Sequence, residues 1–276
     1  MADDDKIMTD EELYFFDTFG YLKIEQAIDE ETVKEAFEAS ERVVRDHPEL
    51  YQDAHYGAKY SGAFIFDKTL ERLPRSRKIL GYACALLNNL PRLRGGQLML
   101  NCAHHTDHGF HCQKEIDRYR PEDAPGFFAN YGTKSIYCDL FTAFLYLTDV
   151  RPGDGGLVVI PGSHKSEFYY PKENPYPLDM HGAVTVTVNA GDVIIMPLRL
   201  VHGAHKWRPT DRDRRMMFYT FGPQDVYSPG PDTDIQRARD ANIELDPETI
   251  DLMSITEKGL KGDLKEVVRK HLELHG

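Results

Sequence analysis

Histidine is concentrated in one short stretch of this chain, which has 12 histidines in 276 residues. Residues 103–110 read Ala-His-His-Thr-Asp-His-Gly-Phe. Within the stretch, His105 and Asp107 are separated by one residue, and on an extended backbone such residues point to the same side. Two imidazoles and one carboxylate bind Fe(II) and leave coordination positions open for other ligands. His105 and Asp107 are therefore candidate ligands of a mononuclear iron site.

A third ligand should come from a later segment, and His202 is the best candidate. It follows the sequence Gly191-Asp-Val-Ile-Ile-Met-Pro197, in which a Gly-Asp turn precedes an apolar run. This pattern predicts a strand, with His202 at its far end or just beyond it. The predicted ligand set, which is also the predicted catalytic set, is His105, Asp107 and His202.

Arg214 follows His202 by twelve residues and begins the predicted strand "RRMMFYTF". An arginine at the base of a pocket binds a carboxylate through two parallel hydrogen bonds. Arg214 is therefore a candidate anchor for a cosubstrate, and strand alternation decides whether Arg214 or Arg215 points inward. We favour Arg214. Gln97 and Asn101, on an earlier predicted strand, are candidates for contact with the same cosubstrate.

The elements that must position these residues change character at about residue 96. From there, short apolar segments alternate with turns rich in Gly, Pro and Asp, and no helical pattern lies between them. The predicted strands are residues 97–102, 135–148, 157–160, 183–188, 193–196 and 216–221. Short strands in series, without intervening helices, indicate an antiparallel barrel or jelly roll.

Helical patterns flank this β region. Thr9 and Glu12 form a capping box before a short helix, and apolar spacing predicts helices over 29–45 and 76–90. Leu260, Leu264, Val267 and Leu272 repeat at helical spacing near the C-terminus. We therefore predict one mostly β domain over 1–276, with a helical part (about 9–95), a jelly-roll core (about 96–222) and a C-terminal loop and helix (223–276).

Composition narrows the class of partner. The formal net charge is −12, which argues against nucleic acid or an anionic membrane as a partner. The four cysteines form no CxxC pair, and no signal-like or membrane-length apolar run is visible. These features predict a reduced, cytoplasmic protein that acts on a small molecule, with an oligomeric state that the sequence leaves open.

Three segments resemble the phytanoyl-CoA dioxygenase family of Fe(II)/2-oxoglutarate oxygenases. They are "FFDTFGYLKIEQAID" (15–29), "GDGGLVVIPGSHKSEF" (153–168) and "GDVIIMPLRLVHGAHKW" (191–207), and the resemblance covers most of 9–222. It implies a double-stranded β-helix core of the cupin-like, jelly-roll type. It also implies His105, Asp107 and His202 as iron ligands, Arg214 as the partner of the distal carboxylate of 2-oxoglutarate, and O2 as oxidant.

Two questions stay open at this point. The segment His111-Cys112-Gln113 could occupy the position of the His-x-Asp pair, although only His105 and Asp107 include a carboxylate. The function is also open between three classes. We favour an oxygenase that hydroxylates, demethylates or desaturates a small polar metabolite or natural product. The alternatives are a cupin-like metal enzyme without a cosubstrate and a metal-independent β-barrel binding protein.

Overall fold

The computed structural model describes residues 7–87, 91–112, 127–130, 135–138, 140–166, 178–224 and 233–254. The described residues form thirteen strands and six α-helices. Among the helices of these ranges, none combines the length and the apolar character that crossing a bilayer requires.

The strands fall into two larger sheets and one separate pair. In chain order they are β1 (Leu22–Ile24), β2 (Tyr51–Ala54), β3 (Gly57–Ser61), β4 (Pro91–Asn101), β5 (His108–His111), β6 (Phe127–Asn130), β7 (Ser135–Cys138), β8 (Phe141–Tyr146), β9 (Gly156–Val159), β10 (Val184–Thr185), β11 (Val193–Pro197), β12 (His202–His205) and β13 (Arg214–Pro223). The large sheet has the order β1-β11-β8-β13-β4-β3-β2, and the small sheet has the order β10-β9-β12-β5. The third sheet is the pair β6-β7.

From β4 onward the chain alternates between the two larger sheets. It runs from β4 in the large sheet to β5 in the small one, then to β8, to β9 and β10, to β11, to β12 and finally to β13. All pairings between these strands are antiparallel. This winding is the double-stranded β-helix, so the predicted fold class is confirmed.

Helices cover the outer face of the large sheet. They are α1 (Asp10–Phe19), α2 (Glu30–Asp46), α3 (Lys68–Arg72), α4 (Arg77–Leu86), α5 (Thr233–Asp240) and α6 (Pro247–Met253). The predicted capping box begins α1, since Glu12 N–H donates to the Thr9 hydroxyl and the Glu12 carboxylate accepts from Thr9 N–H. Asp29 caps α2 by accepting from Thr32 N–H. Both helix starts therefore follow from local sequence.

Strand alternation divides the apolar residues into two groups. Leu98 and Met217 belong to the core beneath the helices, whereas their neighbours Met99 and Met216 belong to the cluster between the sheets. The two groups alternate because successive side chains of a strand point to opposite faces. The inner group is the smaller one, and the space that it leaves is the site described below.

Several element boundaries differ from the predictions. The single strand predicted over 135–148 is two strands, β7 and β8, which belong to different sheets. The hairpin of β2 and β3 lies in the predicted helical part, between the helices predicted over 29–45 and 76–90. Its β2 strand is largely exposed and lacks an apolar face, so it has no period-two signal. The helix predicted near Leu260–Leu272 lies outside the described residues.

Candidate active site

A cavity of about 290 Å³ lies between the two larger sheets. One wall consists of alternate residues of β4, β8 and β13, because every second side chain of these strands points inward. They are Gln97, Met99, Thr142, Phe144, Tyr146, Arg214, Met216, Phe218 and Thr220. The opposite side includes His108, His111 and His202 from β5 and β12. The cavity therefore combines an apolar wall with several nitrogen ligands and one guanidinium.

His111 and His202 face each other across the small sheet. Strands β5 and β12 are antiparallel, and their register pairs His202 with His111 and Ala204 with His108. The imidazole centroids of His111 and His202 are 4.2 Å apart. Gly203 allows this close pairing, since a Cβ there would lie 2.6 Å from the carbonyl oxygen of His108. The end of β5 thus meets the start of β12 at a pair of histidines.

Hydrogen bonds to backbone carbonyls fix the orientation of both rings. Nδ1 of His202 lies 2.8 Å from the carbonyl oxygen of Leu200, and Nδ1 of His111 lies 3.0 Å from that of Gly109. A carbonyl oxygen only accepts, so each Nδ1 carries the proton and each Nε2 carries the lone pair. This is the arrangement by which metal-bound histidines are commonly fixed. Burial, and then the nearby His111, lowers the pKa of His202 to about 3, so its ring is neutral at physiological pH.

The structure does not bring Asp107 to His202. Residues 102–107 form the loop that precedes β5, and the Asp107 carboxylate accepts from the backbone N–H of Lys206 at 2.7 Å. Lys206 follows His202 by four residues along β12, which is about 13 Å of extended chain. Asp107 is also exposed and does not line the cavity. The His-x-Asp pair predicted from the sequence therefore lies at the opposite end of β12 from His202.

His105 is buried in the same loop and is also absent from the cavity wall. Its Nδ1 accepts from the backbone N–H of Cys102 at 2.8 Å, so the neutral ring carries its proton on Nε2. In the described ranges, potential ligand atoms within 4.8 Å of one another occur in one group of three, formed by Cys102, His104 and His105. The hydrogen bond from Cys102 already uses the lone pair of His105, which argues against that group as a metal site.

Arg214 is the charged residue at the base of the cavity. Its Nε and Nη2 donate to Oδ1 of Asn101 at 3.1 and 2.9 Å, and its side chain is buried. Its Nη1 is buried without a hydrogen-bond partner. Burial lowers the pKa of Arg214, and no carboxylate in the described part of the chain offsets its charge. A buried, uncompensated guanidinium that lines a cavity fits an anionic ligand.

The neighbouring Arg215 points to the other face of β13. Its Nη1 donates to the Ser40 hydroxyl of α2, and its Nη2 pairs with Asp213 at 2.8 Å. Strand parity therefore selects Arg214, as expected from the sequence. Gln97 lines the cavity as expected. Asn101 does not line it, but its side chain holds Arg214, and its amide nitrogen donates to the Tyr56 carbonyl.

Gly156, the last residue of the Gly-Asp-Gly-Gly turn at 153–156, lies against the guanidinium of Arg214. Its φ is +93°, and a Cβ there would lie 2.8 Å from Nη1 of Arg214. The preceding Asp154 accepts from Arg151 N–H and pairs with Arg212, so its role is structural. His164 is buried and lies 3.2 Å from the Asp17 carbonyl, which joins the Pro-Gly-Ser-His turn to α1. Both turns thus support the site from outside it.

The basic cluster at Arg72–Lys78 lies away from the cavity. Arg72 and Arg75 pair with Asp246, and Lys78 donates to the carbonyls of Glu25 and Gln26. None of these residues lines the cavity. The residues of this cluster therefore join helices to neighbouring segments and do not contribute to the cavity.

Sequence comparison now identifies the family. The profile described as phytanoyl-CoA dioxygenase (PhyH) matches residues 16–216. This chain belongs to the phytanoyl-CoA dioxygenase family. It is therefore a member of a family of non-haem iron, 2-oxoglutarate-dependent oxygenases. A comparison with curated proteins finds no match.

Solved structures agree on the fold. HygX from Streptomyces hygroscopicus, with nickel and 2-oxoglutarate bound, has a TM-score of 0.66 at 23% identity, and the match covers 79% of this chain and 88% of HygX. The carbocyclase SnoK from nogalamycin biosynthesis has a TM-score of 0.63 at 20% identity, covering 83% and 90%. EctD from S. alaskensis, with 2-oxoglutarate and 5-hydroxyectoine, has a TM-score of 0.64 at 19% identity, covering 84% of both chains.

Sequence reasoning missed several residues of the cavity in this family member. His108 was not among the predicted site residues, yet it lines the cavity. Lys59 had no signal at all, since it belongs to the unpredicted β2–β3 hairpin. Only the pairing of β3 with β4 places Lys59 at the cavity, and no local pattern encodes that pairing.

Proposed function

We propose that this chain is an Fe(II)- and 2-oxoglutarate-dependent oxygenase whose substrate is a small polar molecule of the natural-product type. The observation that carries the proposal is Arg214, which lines the cavity and has a buried guanidinium whose Nη1 is unpartnered. Its position on β13 puts it in the same cavity as His111 and His202. A metal-binding pair and an anion-binding group in one cavity are what a metal-chelating dicarboxylate requires.

In this proposal His111 and His202 provide the two imidazole ligands. The support is their pairing across β5 and β12 and the Nδ1 protonation of both rings. They take precedence over His105 and Asp107, which lie in the loop before β5. The residue two positions after His111 is Gln113, which lies outside the described residues.

Arg214 holds the distal carboxylate of 2-oxoglutarate, and Asn101 keeps the guanidinium in place through two hydrogen bonds. When bound, iron and 2-oxoglutarate together supply the activated oxygen that attacks an unreactive C–H bond. The residues of this chain orient the reactants and exclude water, chiefly through Met99, Phe144 and Met216. Burial raises the pKa of Tyr146, so its hydroxyl remains a proton donor beside Arg214.

Solved relatives support the size and type of the substrate. HygX has been seen with hygromycin B, the epimerase SnoN with nogalamycin RO, and EctD with 5-hydroxyectoine. These are small molecules, and no nucleic acid or membrane accompanies them. We accordingly favour hydroxylation, demethylation or desaturation of a small metabolite as the reaction of this chain.

The first experiment adds Fe(II) and 2-oxoglutarate to the protein without oxygen and records the visible spectrum. A charge-transfer band of the chelated keto acid is the expected result, and R214Q should require much more 2-oxoglutarate to reach the same band. Fe(II) binding without a band would favour a cupin-like metal enzyme that uses no cosubstrate. Absence of Fe(II) binding would favour a β-barrel binding protein that lacks catalysis.

A further inference from the structure

The β2–β3 hairpin brings a second cation to the cavity. In the large sheet β3 pairs with β4, and the register places Lys59 beside Met99. Both residues line the cavity, since cross-strand neighbours point to the same face. Tyr56, in the two-residue loop of the hairpin, lines the cavity as well. The hairpin therefore forms one rim of the site.

Aromatic contacts hold Lys59 in position. Its Nζ lies 4.7 Å from the centre of the Tyr56 ring. The Tyr56 ring is stacked on that of His108, with centroids 3.7 Å apart and planes 4° apart. Lys59 is half-buried, so its ammonium is partly removed from water. A cation over an aromatic face in such a place is stabilised without being neutralised.

No carboxylate of the described chain neutralises Lys59. Lys23, Lys68 and Lys165 each form an ion pair with a carboxylate, whereas the Lys59 ammonium lies over the Tyr56 ring and forms no ion pair in the described ranges. The described residues that line the cavity include Arg214 and Lys59 but no Asp or Glu. The formal net charge of the chain is −12, so this positive wall runs against its composition. Such a cavity concentrates anions.

Lys59 and Arg214 belong to β3 and β13, on opposite sides of β4 in the large sheet. Lys59 pairs with Met99, Met99 pairs with Met216, and Arg214 lies two residues before Met216. Two strand spacings and two residues along a strand separate their Cα atoms by about 12 Å. Met99 and Met216 lie between them, in the apolar part of the wall. The cavity thus has two separate cationic positions with an apolar section between them.

We propose that Lys59 binds an anionic group of the substrate, so that the substrate is an organic anion with an apolar body. The carboxylate of the cosubstrate occupies Arg214, and the anionic group of the substrate lies at the hairpin rim, against Lys59. This substrate assignment rests on the proposed function at one point, since it takes the bound anion to be the molecule that the oxygenase oxidises. Lys59 is then the residue that makes the site select anionic substrates over neutral ones.

Benzoate and benzamide test the proposal, because they have the same shape and differ in charge. Their dissociation constants with the full-length protein are measured by calorimetry, in the wild type and in K59Q, K59R, R214Q and K34Q. Lys34 is an exposed lysine of α2, so K34Q is the matched control for a lost surface charge. Wild type should prefer benzoate to benzamide by about tenfold or more, as one ionic hydrogen bond implies.

The variants separate the two cationic positions. K59Q should lose the preference for benzoate, K59R should keep most of it, and K34Q should match the wild type. R214Q removes the other cation that benzoate could contact, so the preference that R214Q retains is due to Lys59, and the double variant K59Q/R214Q should have none. Equal affinity of the wild type for both compounds would overturn the proposal, as would an unchanged preference in K59Q or its loss in R214Q alone.

This result is independent of the iron chemistry. Benzoate preference that depends on Lys59, without the visible band described above, would support the anion site and reject the oxygenase function. The band without a charge preference would support the oxygenase function and reject the anion site.

Discussion

His111 and His202 occupy directly opposed positions in β5 and β12, with their ring centroids 4.2 Å apart. The register that pairs them also carries Asp107 to the other end of β12, where it binds the N–H of Lys206. One strand pairing therefore decides which histidines share the cavity. It places His111 in the cavity with His202, whereas His105 and Asp107 do not line the cavity.

Metal binding should depend on His111 and His202 and not on His105. H111A and H202A should each weaken Fe(II) binding by more than about 100-fold, since even the loss of an outer hydrogen-bond partner costs 10- to 100-fold. H105A should bind Fe(II) as the wild type does. D107N should also do so, because an asparagine oxygen can still accept from Lys206 N–H. Iron titrations under argon measure all four.

Loss of Fe(II) binding in H105A and D107N, with binding retained in H111A, would return the ligand positions to His105 and Asp107.

Substitution of Arg214 should weaken ligand binding, whereas substitution of Arg215 should lower the stability of the fold. R214Q should weaken 2-oxoglutarate binding by roughly 10- to 100-fold, as expected for a lost ionic hydrogen-bond pair. Its Tm should not fall, because the variant removes a buried charge that no carboxylate offsets. R215Q should leave 2-oxoglutarate affinity unchanged and lower stability by about 1–3 kcal/mol, since it breaks buried contacts to Ser40 and Asp213.

Calorimetric titration with 2-oxoglutarate and thermal unfolding of both variants provide the measurements. A loss of 2-oxoglutarate affinity confined to R215Q would contradict the assignment.

Gly156 and Gly153 form a matched pair in one turn. Both have left-handed φ values, +93° and +90°, but a Cβ at Gly156 would meet Nη1 of Arg214 at 2.8 Å, whereas one at Gly153 would meet nothing within 4 Å. G153A and G156A should each lose about 1–2 kcal/mol from backbone strain. Only G156A should also weaken 2-oxoglutarate binding, because its methyl group displaces the guanidinium.

Denaturant unfolding measures the common loss and 2-oxoglutarate titration measures the difference between the two variants. Equal 2-oxoglutarate affinities would show that the contact with Gly156 does not position Arg214.

Asp246 should make stability depend on pH in the acid range. Burial alone would raise its pKa, but hydrogen bonds from Lys68, Arg75 and Arg72 outweigh burial and lower the pKa to about 2, from a usual value of 3.8. A lowered pKa means that the unfolded chain binds the proton more readily, so the stabilisation is complete above pH 3.8 and is lost as the pH falls towards 2. Its size at neutral pH is at most about 2 kcal/mol.

D246N should therefore be less stable than the wild type at pH 7, and the gap should narrow as the pH falls below 4. Urea unfolding over this range measures the gap. The exposed Asp251 of α6 is the control, since D251N should show no such gap. A gap for D246N that stays constant down to pH 2.5 would contradict the role of these ion pairs.

The class of fold and the family could both be predicted from local patterns in the sequence. Short strands punctuated by Gly and Asp turns predicted the jelly roll, and the Thr9–Glu12 capping box predicted α1, because both signals are local. Strand alternation predicted that only one of Arg214 and Arg215 points inward, and the structure places Arg214 at the cavity. The Gly-Asp turn and the apolar run before His202 predicted strand β11, and His202 lies beyond the end of that strand and lines the cavity.

The tertiary structure alone decided which residues meet. Strands β5 and β12 are about ninety residues apart in the chain, and their register depends on interactions along the whole small sheet. A shift of that register would pair His202 with a different residue, and no local sequence pattern predicts the register. The β2–β3 hairpin that carries Lys59 lacks an alternating apolar face, so only its pairing with β4 brings the lysine to the cavity. Contacts between distant segments are set by packing and pairing, which one segment's composition does not encode.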